Sequence, residues 1–184
     1  MRILIAFASK SKSAELLASH IVEGCRIAGI EPEMLNLGDS YKLFDYLPIR
    51  SLLPKSKIQM PHDLSSYDII FIGFEIHNAS ESGKFLDFIE SHDFSGKRVA
   101  LFCSYYVNRK YLDRIVKKLE GRNAQVFNTI SLKRKGLSAF IGFGSLDEND
   151  LVRAEAFAER TINNTLGRKV RKDSEKSQIK GYRK

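Results

Sequence analysis

Five apolar runs alternate with segments of helical periodicity, and this alternation constrains the fold of the 184-residue chain more than any other feature. The runs span residues 3 to 8, 33 to 37, 68 to 74, 98 to 104 and 125 to 132. The first, third and fourth are almost continuously apolar, as is typical of strands covered by helices on both faces. The pattern therefore predicts right-handed crossovers and a parallel sheet in a doubly wound, three-layer α/β domain.

Helical patterns are predicted at residues 14 to 28, 82 to 91, 109 to 119 and 147 to 165. Gly29 is a natural C-terminal stop for the first helix, and Asp147 is a natural N-cap for the last. The apolar face of the first helix is predicted to contain Leu16, Leu17, His20, Ile21, Gly24 and Ile27. That of the last helix is predicted to contain Leu151, Ala154, Ala158 and Ile162.

The segment from Ser40 to Ser66 departs from the alternation. Pro48, Pro54 and Pro61 interrupt it where a second long helix belongs, so it has room for short helices at most. Connections of this length often serve as functional lids. The aromatic residues of the segment can contact a ligand or pack into the core.

A hydroxyl-rich, cationic turn follows the first apolar run. It reads Ser9-Lys10-Ser11-Lys12-Ser13-Ala14 and leads directly into the first helical pattern. Backbone N–H groups in the first turn of a helix have no internal acceptors and face the positive end of its dipole, so such a turn suits a phosphate. The alternative is that Ser11 or Ser13 simply caps the helix.

The net charge of +8 is concentrated at the C-terminus. Residues 168 to 184 contain eight Lys and Arg residues against Asp173 and Glu175, a net charge of +6, which leaves about +2 for the rest. This segment has too few apolar residues to form a core. We therefore expect one domain over residues 1 to 166 and a flexible basic tail over residues 167 to 184.

The two cysteines, Cys25 and Cys103, belong to no paired motif, so the sequence supports neither a disulfide framework nor a zinc site. No apolar stretch approaches the roughly 20 residues that span a bilayer. Met1 and Arg2 lead straight into a core strand, so no signal peptide is expected. We expect a cytoplasmic protein with reduced thiols. Cys103 is either a reactive thiol or a small core residue, the commoner role.

Three segments together resemble the flavodoxin family. The turn at residues 9 to 15 aligns without gaps on the family's phosphate loop. Residues 67 to 102 resemble its third strand, the following helix and the fourth strand, and residues 146 to 158 resemble its closing helix. The resemblance extends from residue 1 to about residue 166. It implies a flavodoxin-like sandwich with a five-stranded parallel sheet in the order 2-1-3-4-5.

The resemblance also implies that the protein binds FMN. The phosphate would lie on Ser9, Lys10, Ser11, Lys12, Ser13 and Ala14, and the ring on His77, Asn78, Ser104, Tyr105 and Tyr106. Lys12 stands where the family has Gly, and Ala14 where it has a phosphate-binding Thr. The ammonium of Lys12 can compensate by contacting the phosphate, or it can point into water. Likewise, the tyrosines can stack on the ring or cap the sheet, and His77 can be a solvated loop residue.

Two functions follow from these observations. The first is a small FMN protein, either an electron carrier or a flavin-dependent oxidoreductase, in which the flavin does the chemistry and no catalytic side chain or metal is needed. Its redox partner would have an acidic docking face. The alternative is a flavin-free module of the same fold whose basic tail contacts nucleic acid or an acidic protein.

Overall fold

Strands and helices alternate along the chain as predicted. The computed structural model describes residues 1–8, 12–38, 63–76, 83–105, 110–135 and 146–167. The strands are β1 (Ile3–Phe7), β2 (Glu33–Asn36), β3 (Ile69–Ile76), β4 (Arg98–Tyr105) and β5 (Gln125–Lys133). The α-helices are α1 (Lys12–Ile27), α2 (Gly83–Ser91), α3 (Lys110–Glu120) and α4 (Glu148–Thr165), and a short 3-10 helix covers Leu64–Ser66.

The five strands form one parallel sheet in the order β2-β1-β3-β4-β5. This confirms both the parallel sheet and its predicted order. All the strand ends that precede helices consequently lie at the same edge. β1 and β3 are buried along their whole length, and so are the six inner residues of β4, as their continuous apolar runs predict.

Helices cover both faces of the sheet. On one face α1 and α4 pack against alternate strand residues, among them Ile5, Phe71 and Phe102. On the other face α2 and α3 pack against the intervening residues, among them Leu4, Ile72 and Leu101. A side chain's position along its strand thus determines which helix pair it meets.

The predicted apolar face of α1 is wrong in two positions. Leu16 and Ile27 are 41% and 56% exposed. The predicted residues Leu17, Ile21 and Gly24 are buried, and the helix also buries Ala14, Ala18, Val22 and Cys25. The orientation follows from close contact with α4, since an added Cβ on Gly24 would lie 2.3 Å from the Glu155 carbonyl oxygen. The predicted stripe of α4 is confirmed: Ala154, Ala158 and Ile162 are buried, and Leu151 packs against the same core.

Both predicted helix ends are confirmed. Gly29 has φ +82° and donates to the Arg26 carbonyl, while Ile30 donates to the Cys25 carbonyl. These paired bonds are a Schellman motif, which satisfies carbonyls at the end of the helix. At the start of α4, the Asp147 side chain accepts from the Asp150 backbone N–H at 2.8 Å.

Two sequence predictions fall mainly outside the described residues. Of the proline-interrupted segment, only residues 63 to 66 are described, and they contain the 3-10 helix. The basic tail from residue 168 onward is also outside them, so the domain boundary stays a prediction.

Candidate functional site

The predicted site lies at the carboxyl edge of the sheet. β1 and β3 are neighbours, with β2 beyond β1 and β4 beyond β3, so the strand order reverses at the β1–β3 boundary. Ligands of doubly wound sheets bind outside the strand ends at such a switch point. Ala8 extends the β1–β3 ladder by donating its backbone N–H to the Gly73 carbonyl at 3.0 Å. Because α1 begins at Lys12, its first turn is close to the switch point.

The structure brings several predicted residues to this edge. Lys12, Ser13 and Ala14 form the first turn of α1, and Ser104 and Tyr105 end β4. The remaining predicted residues, Ser9, Lys10, Ser11, His77, Asn78 and Tyr106, lie outside the described residues, as does the side chain of Lys12. Their assignment to a flavin stays a prediction.

Ser104 and Tyr105 approach the edge from opposite faces of the sheet. Ser104 pairs with Glu75 in the ladder and shares the parity of Phe102, which packs under α1 and α4. Tyr105 is half-buried and packs against the core under α2 and α3. Of these two predicted residues, therefore, only Ser104 lies on the face where α1 begins.

Glu75 is a site residue that the sequence analysis missed. It is only 4% exposed, and its Oε1 accepts a hydrogen bond from the Ala14 backbone N–H at 3.0 Å. The carboxylate thus satisfies an otherwise unpaired donor at the positive end of the α1 dipole. The available signal was a single acidic residue inside the buried run from Ile69 to Ile76.

Arg134 is the second residue that the sequence analysis missed. It is 1% exposed, and its backbone N–H donates to the Tyr105 carbonyl at 2.8 Å, which extends the β4–β5 ladder beyond Lys133. Within the part of the chain that the structure describes, the guanidinium nitrogens Nε, Nη1 and Nη2 have no hydrogen-bond partner. Burial lowers the pKa of Arg134, and the nearby negative charge of Glu75 acts in the opposite direction.

The Ser104 side chain is also buried without a partner. It is 0% exposed, and its Oγ makes no hydrogen bond to any of the described residues. Ser104 pairs with Leu132, and Arg134 lies two residues beyond Leu132, so both have the same parity. Glu75, Ser104 and Arg134 therefore form a polar row across β3, β4 and the end of β5, above the apolar core under α1 and α4.

The thiols and acidic groups of the described residues offer little other chemistry. Cys103 is buried in the core under α2 and α3, which agrees with the core alternative. Burial raises the pKa of the Cys25 thiol to about 12, so this thiol is not a nucleophile near neutral pH. Within the described ranges, His, Cys, Asp and Glu side chains form no group of three that could hold a metal ion.

The donors at this edge fit a phosphate such as that of FMN, although they differ from those expected. Ala14 has no hydroxyl to offer, and its N–H is bonded to Glu75. Against this, the Arg134 guanidinium and the Ser104 hydroxyl are buried donors without acceptors. Buried donors are normally satisfied, so an acceptor supplied by a ligand suits them.

Comparison with solved structures shows a flavodoxin-like fold. Oxidised flavodoxin 1 from Bacillus cereus is similar with a TM-score of 0.59 and 22% identity, over 89% of this chain and 98% of that one. A flavodoxin from the domain Archaea has a TM-score of 0.62 and 13% identity, over 90% and 99% of the two chains. The flavodiiron protein from Giardia intestinalis has a TM-score of 0.59 and 13% identity over 90% of this chain, but only 37% of its own length is covered.

No protein-family model matches the sequence, and no curated protein matches it either. Among the helices that the structure describes, none is long and apolar enough to cross a membrane.

Proposed function

We propose that this protein binds FMN at the carboxyl edge of the sheet and transfers electrons through it. The observation that carries the proposal is the start of α1 beside the β1–β3 switch point. The positive end of a helix dipole at that position suits a bound phosphate. The sequence resemblance to flavodoxins, together with the flavodoxin-like fold, makes FMN the mononucleotide that we expect.

In this proposal the chain binds and orients the cofactor. Residues 9 to 14 contact the phosphate, and His77, Asn78, Tyr105 and Tyr106 border the ring. Bound FMN supplies one-electron or hydride chemistry. The residues of this chain therefore need only to hold the phosphate, stack on the ring and keep water from one of its faces.

We further propose that the redox partner is a protein with an acidic docking face. The net charge of +8 would speed such an encounter through electrostatic steering. The buried thiols of Cys25 and Cys103 are compatible with a reducing, cytoplasmic location. The same site can serve an electron carrier or a flavin-dependent oxidoreductase, and turnover of a small-molecule acceptor without a partner protein distinguishes the two.

A second candidate, a flavin-free module of the same fold, is favoured by one observation. The Glu75 carboxylate already accepts from the Ala14 N–H, where a flavin phosphate is expected to bind. In that case the basic tail would be the binding element, through phosphate contacts with nucleic acid or ion pairs with an acidic protein.

The visible spectrum of the purified protein tests the proposal. We expect the absorption of oxidised flavin in the protein as purified or after addition of FMN, with quenching of the flavin fluorescence during titration. A protein that neither carries flavin nor quenches added FMN would overturn the proposal and favour the second candidate. Titration with a duplex oligonucleotide, with and without residues 168 to 184, would then test the tail.

A further inference from the structure

Arg134 places a positive charge in the protein interior without a counterion in hydrogen-bond contact. The residue is only 1% exposed, and none of its three side-chain nitrogens has a hydrogen-bond partner among the described residues. An arginine keeps its proton in proteins, so it cannot avoid the cost by becoming neutral. A buried charge is costly unless it is paired and hydrogen-bonded. An anion bound beside Arg134 would offset this cost.

Glu75 is not that anion. Its charge acts on Arg134, which places the two groups in the same region of the site. However, all three guanidinium nitrogens lack a hydrogen-bond partner, while Oε1 of Glu75 bonds to the first turn of α1. The guanidinium donors therefore stay available in the region of Glu75.

Ser104 adds a hydroxyl donor to the same region. It is the direct ladder partner of Glu75 on one side and of Leu132 on the other, so it stands between Glu75 and Arg134 in the polar row. Its hydroxyl is fully buried and unpartnered. The Ser104 hydroxyl is therefore a second buried donor in the same polar row as the Arg134 guanidinium.

We propose that Arg134 and Ser104 form a buried subsite for a phosphate group. A guanidinium can bind two oxygens of a phosphate side by side, and a third terminal oxygen remains for the serine hydroxyl. The positive end of the α1 dipole lies on the same side of the sheet and favours the same charge. The inference rests on the proposed function only for the source of the phosphate, which we take to be FMN, so Arg134 and Ser104 would contact the same phosphate group as residues 9 to 14. A free phosphate ion has the same chemistry and is distinguished by the experiment.

The test compares the parent with Arg134→Met, Arg134→Lys and Ser104→Ala. Thermal unfolding is followed in sodium phosphate and in sodium chloride at equal ionic strength, and FMN and riboflavin are titrated separately. We expect phosphate to raise the unfolding temperature of the parent, because a ligand of the native state stabilises it. Loss of charge-assisted hydrogen bonds in Arg134→Met should weaken phosphate or FMN by about tenfold to a hundredfold.

The sign of the effect on the ligand-free protein separates binding from a structural role. Arg134→Met removes an unpaired buried charge, so its unfolding temperature without phosphate should equal or exceed that of the parent. The matched control is Arg122→Met at the opposite edge of the sheet, where Nη2 donates to the carbonyls of Glu90 and His92. That control should lower the unfolding temperature and keep the full response to phosphate.

The outcomes separate this inference from the proposed function. One outcome is that the parent binds FMN more tightly than riboflavin, and that this difference in affinity is lost in Arg134→Met and partly kept in Arg134→Lys. That outcome supports the subsite with FMN as the source of the phosphate. A phosphate response that depends on Arg134 in a protein that binds no flavin supports the subsite with free phosphate, and only the proposed function fails. Equal responses of parent and Arg134→Met to both phosphate and FMN would overturn the inference.

Discussion

At the residue scale, single polar side chains within apolar surroundings define the candidate site. Glu75 and Ser104 lie on central strands whose buried apolar residues form the core, and Arg134 follows the edge strand β5. Each is almost fully buried. Burial of polar groups costs free energy unless they are bonded, and Glu75 has such a bond from Ala14. The proposed subsite therefore rests on Ser104 and Arg134.

Lys12 provides a test of the proposed phosphate turn. Lys12→Glu would place a carboxylate beside the phosphate, so we expect FMN binding to weaken at least about tenfold, from the loss of a charge-assisted contact of about 1.5 to 3 kcal/mol. Fluorescence titration measures the affinity. Tyr105→Ala, in contrast, should change the flavin spectrum and potential. If Lys12→Glu bound FMN as tightly as the parent, the lysine would be a solvated turn residue.

Tyr67 predicts a pH dependence of stability. Burial, followed by the hydrogen bond to Glu33 at 2.7 Å, raises the pKa of Tyr67 from 10.0 to about 12. A raised pKa in the folded state means that the associated stability is present below pH 10 and is lost as the pH rises toward 12. Chemical unfolding of the parent and of Tyr67→Phe over this range measures it.

The decline between these two pH values should be smaller in Tyr67→Phe than in the parent, because phenylalanine does not titrate. An equal decline in both proteins would show that Tyr67 ionises as readily in the folded protein as in the unfolded one.

At the element scale, α1 is held in place by contacts with two other elements, β3 and α4. Its first turn is bonded to β3 through Glu75, and its middle packs closely on α4 at Gly24. His20 adds a polar contact, with Nδ1 at 2.6 Å from Oε1 of Glu155. The helix that begins the candidate phosphate site is therefore positioned by tertiary contacts as well as by its own sequence.

Glu75→Ala should destabilise the protein through α1. The substitution leaves the buried Ala14 N–H without an acceptor, so we expect a loss of about 1 to 3 kcal/mol in the free energy of unfolding. Glu75→Gln keeps an acceptor oxygen and should lose less. Urea unfolding measures both, with the exposed Glu23→Ala on the same helix as the control. A loss no larger than that of the control would mean that the bond does not stabilise the start of α1.

Gly24→Ala tests the contact between α1 and α4. In an isolated helix this change would be favourable by about 1 kcal/mol. Here the new Cβ would lie 2.3 Å from the Glu155 carbonyl oxygen and 2.8 Å from the Ala158 Cβ. Because a backbone atom must move, we expect a net destabilisation of about 1 to 3 kcal/mol, measured by urea unfolding. Ser19→Ala, at an exposed position of α1, is the control, and a stabilised Gly24→Ala would contradict the packing.

At the scale of the whole molecule, stability and charge are distributed differently along the chain. The two core clusters on either face of the sheet are built from residues between Ile3 and Ile162. Most of the net positive charge lies after residue 167. The contribution of the tail to folding stability and its proposed contribution to partner binding can therefore be measured separately.

Truncation after Gly167 tests this separation. The tail has only Val170, Ile179 and Tyr182 as large apolar residues, so it has little area to bury. We expect the unfolding temperature to change by less than about 2 °C, equivalent to at most about 1 kcal/mol for a chain of this size. Differential scanning calorimetry of both lengths measures it. A large decrease would mean that the tail docks on the domain.

The amino-acid sequence by itself determined the order of strands and helices along the chain and the burial of the central strands. Continuous apolar runs identified the central strands, and local chemistry identified the ends of helices at Gly29 and Asp147. Both signals act over a few residues, so they can be read without the fold. The order of the strands came from the resemblance of three segments to one family, and the structure confirmed it.

Only the tertiary structure decided which side chains meet. Leu16 and Ile27 were misplaced because the rotation of α1 depends on its close approach to α4 at Gly24. The bond from Ala14 to Glu75 joins residues 61 positions apart. The burial of Arg134 likewise depends on strand register and on elements distant in sequence. Such contacts are set by how the sheet and helices assemble in space, which local periodicity does not encode.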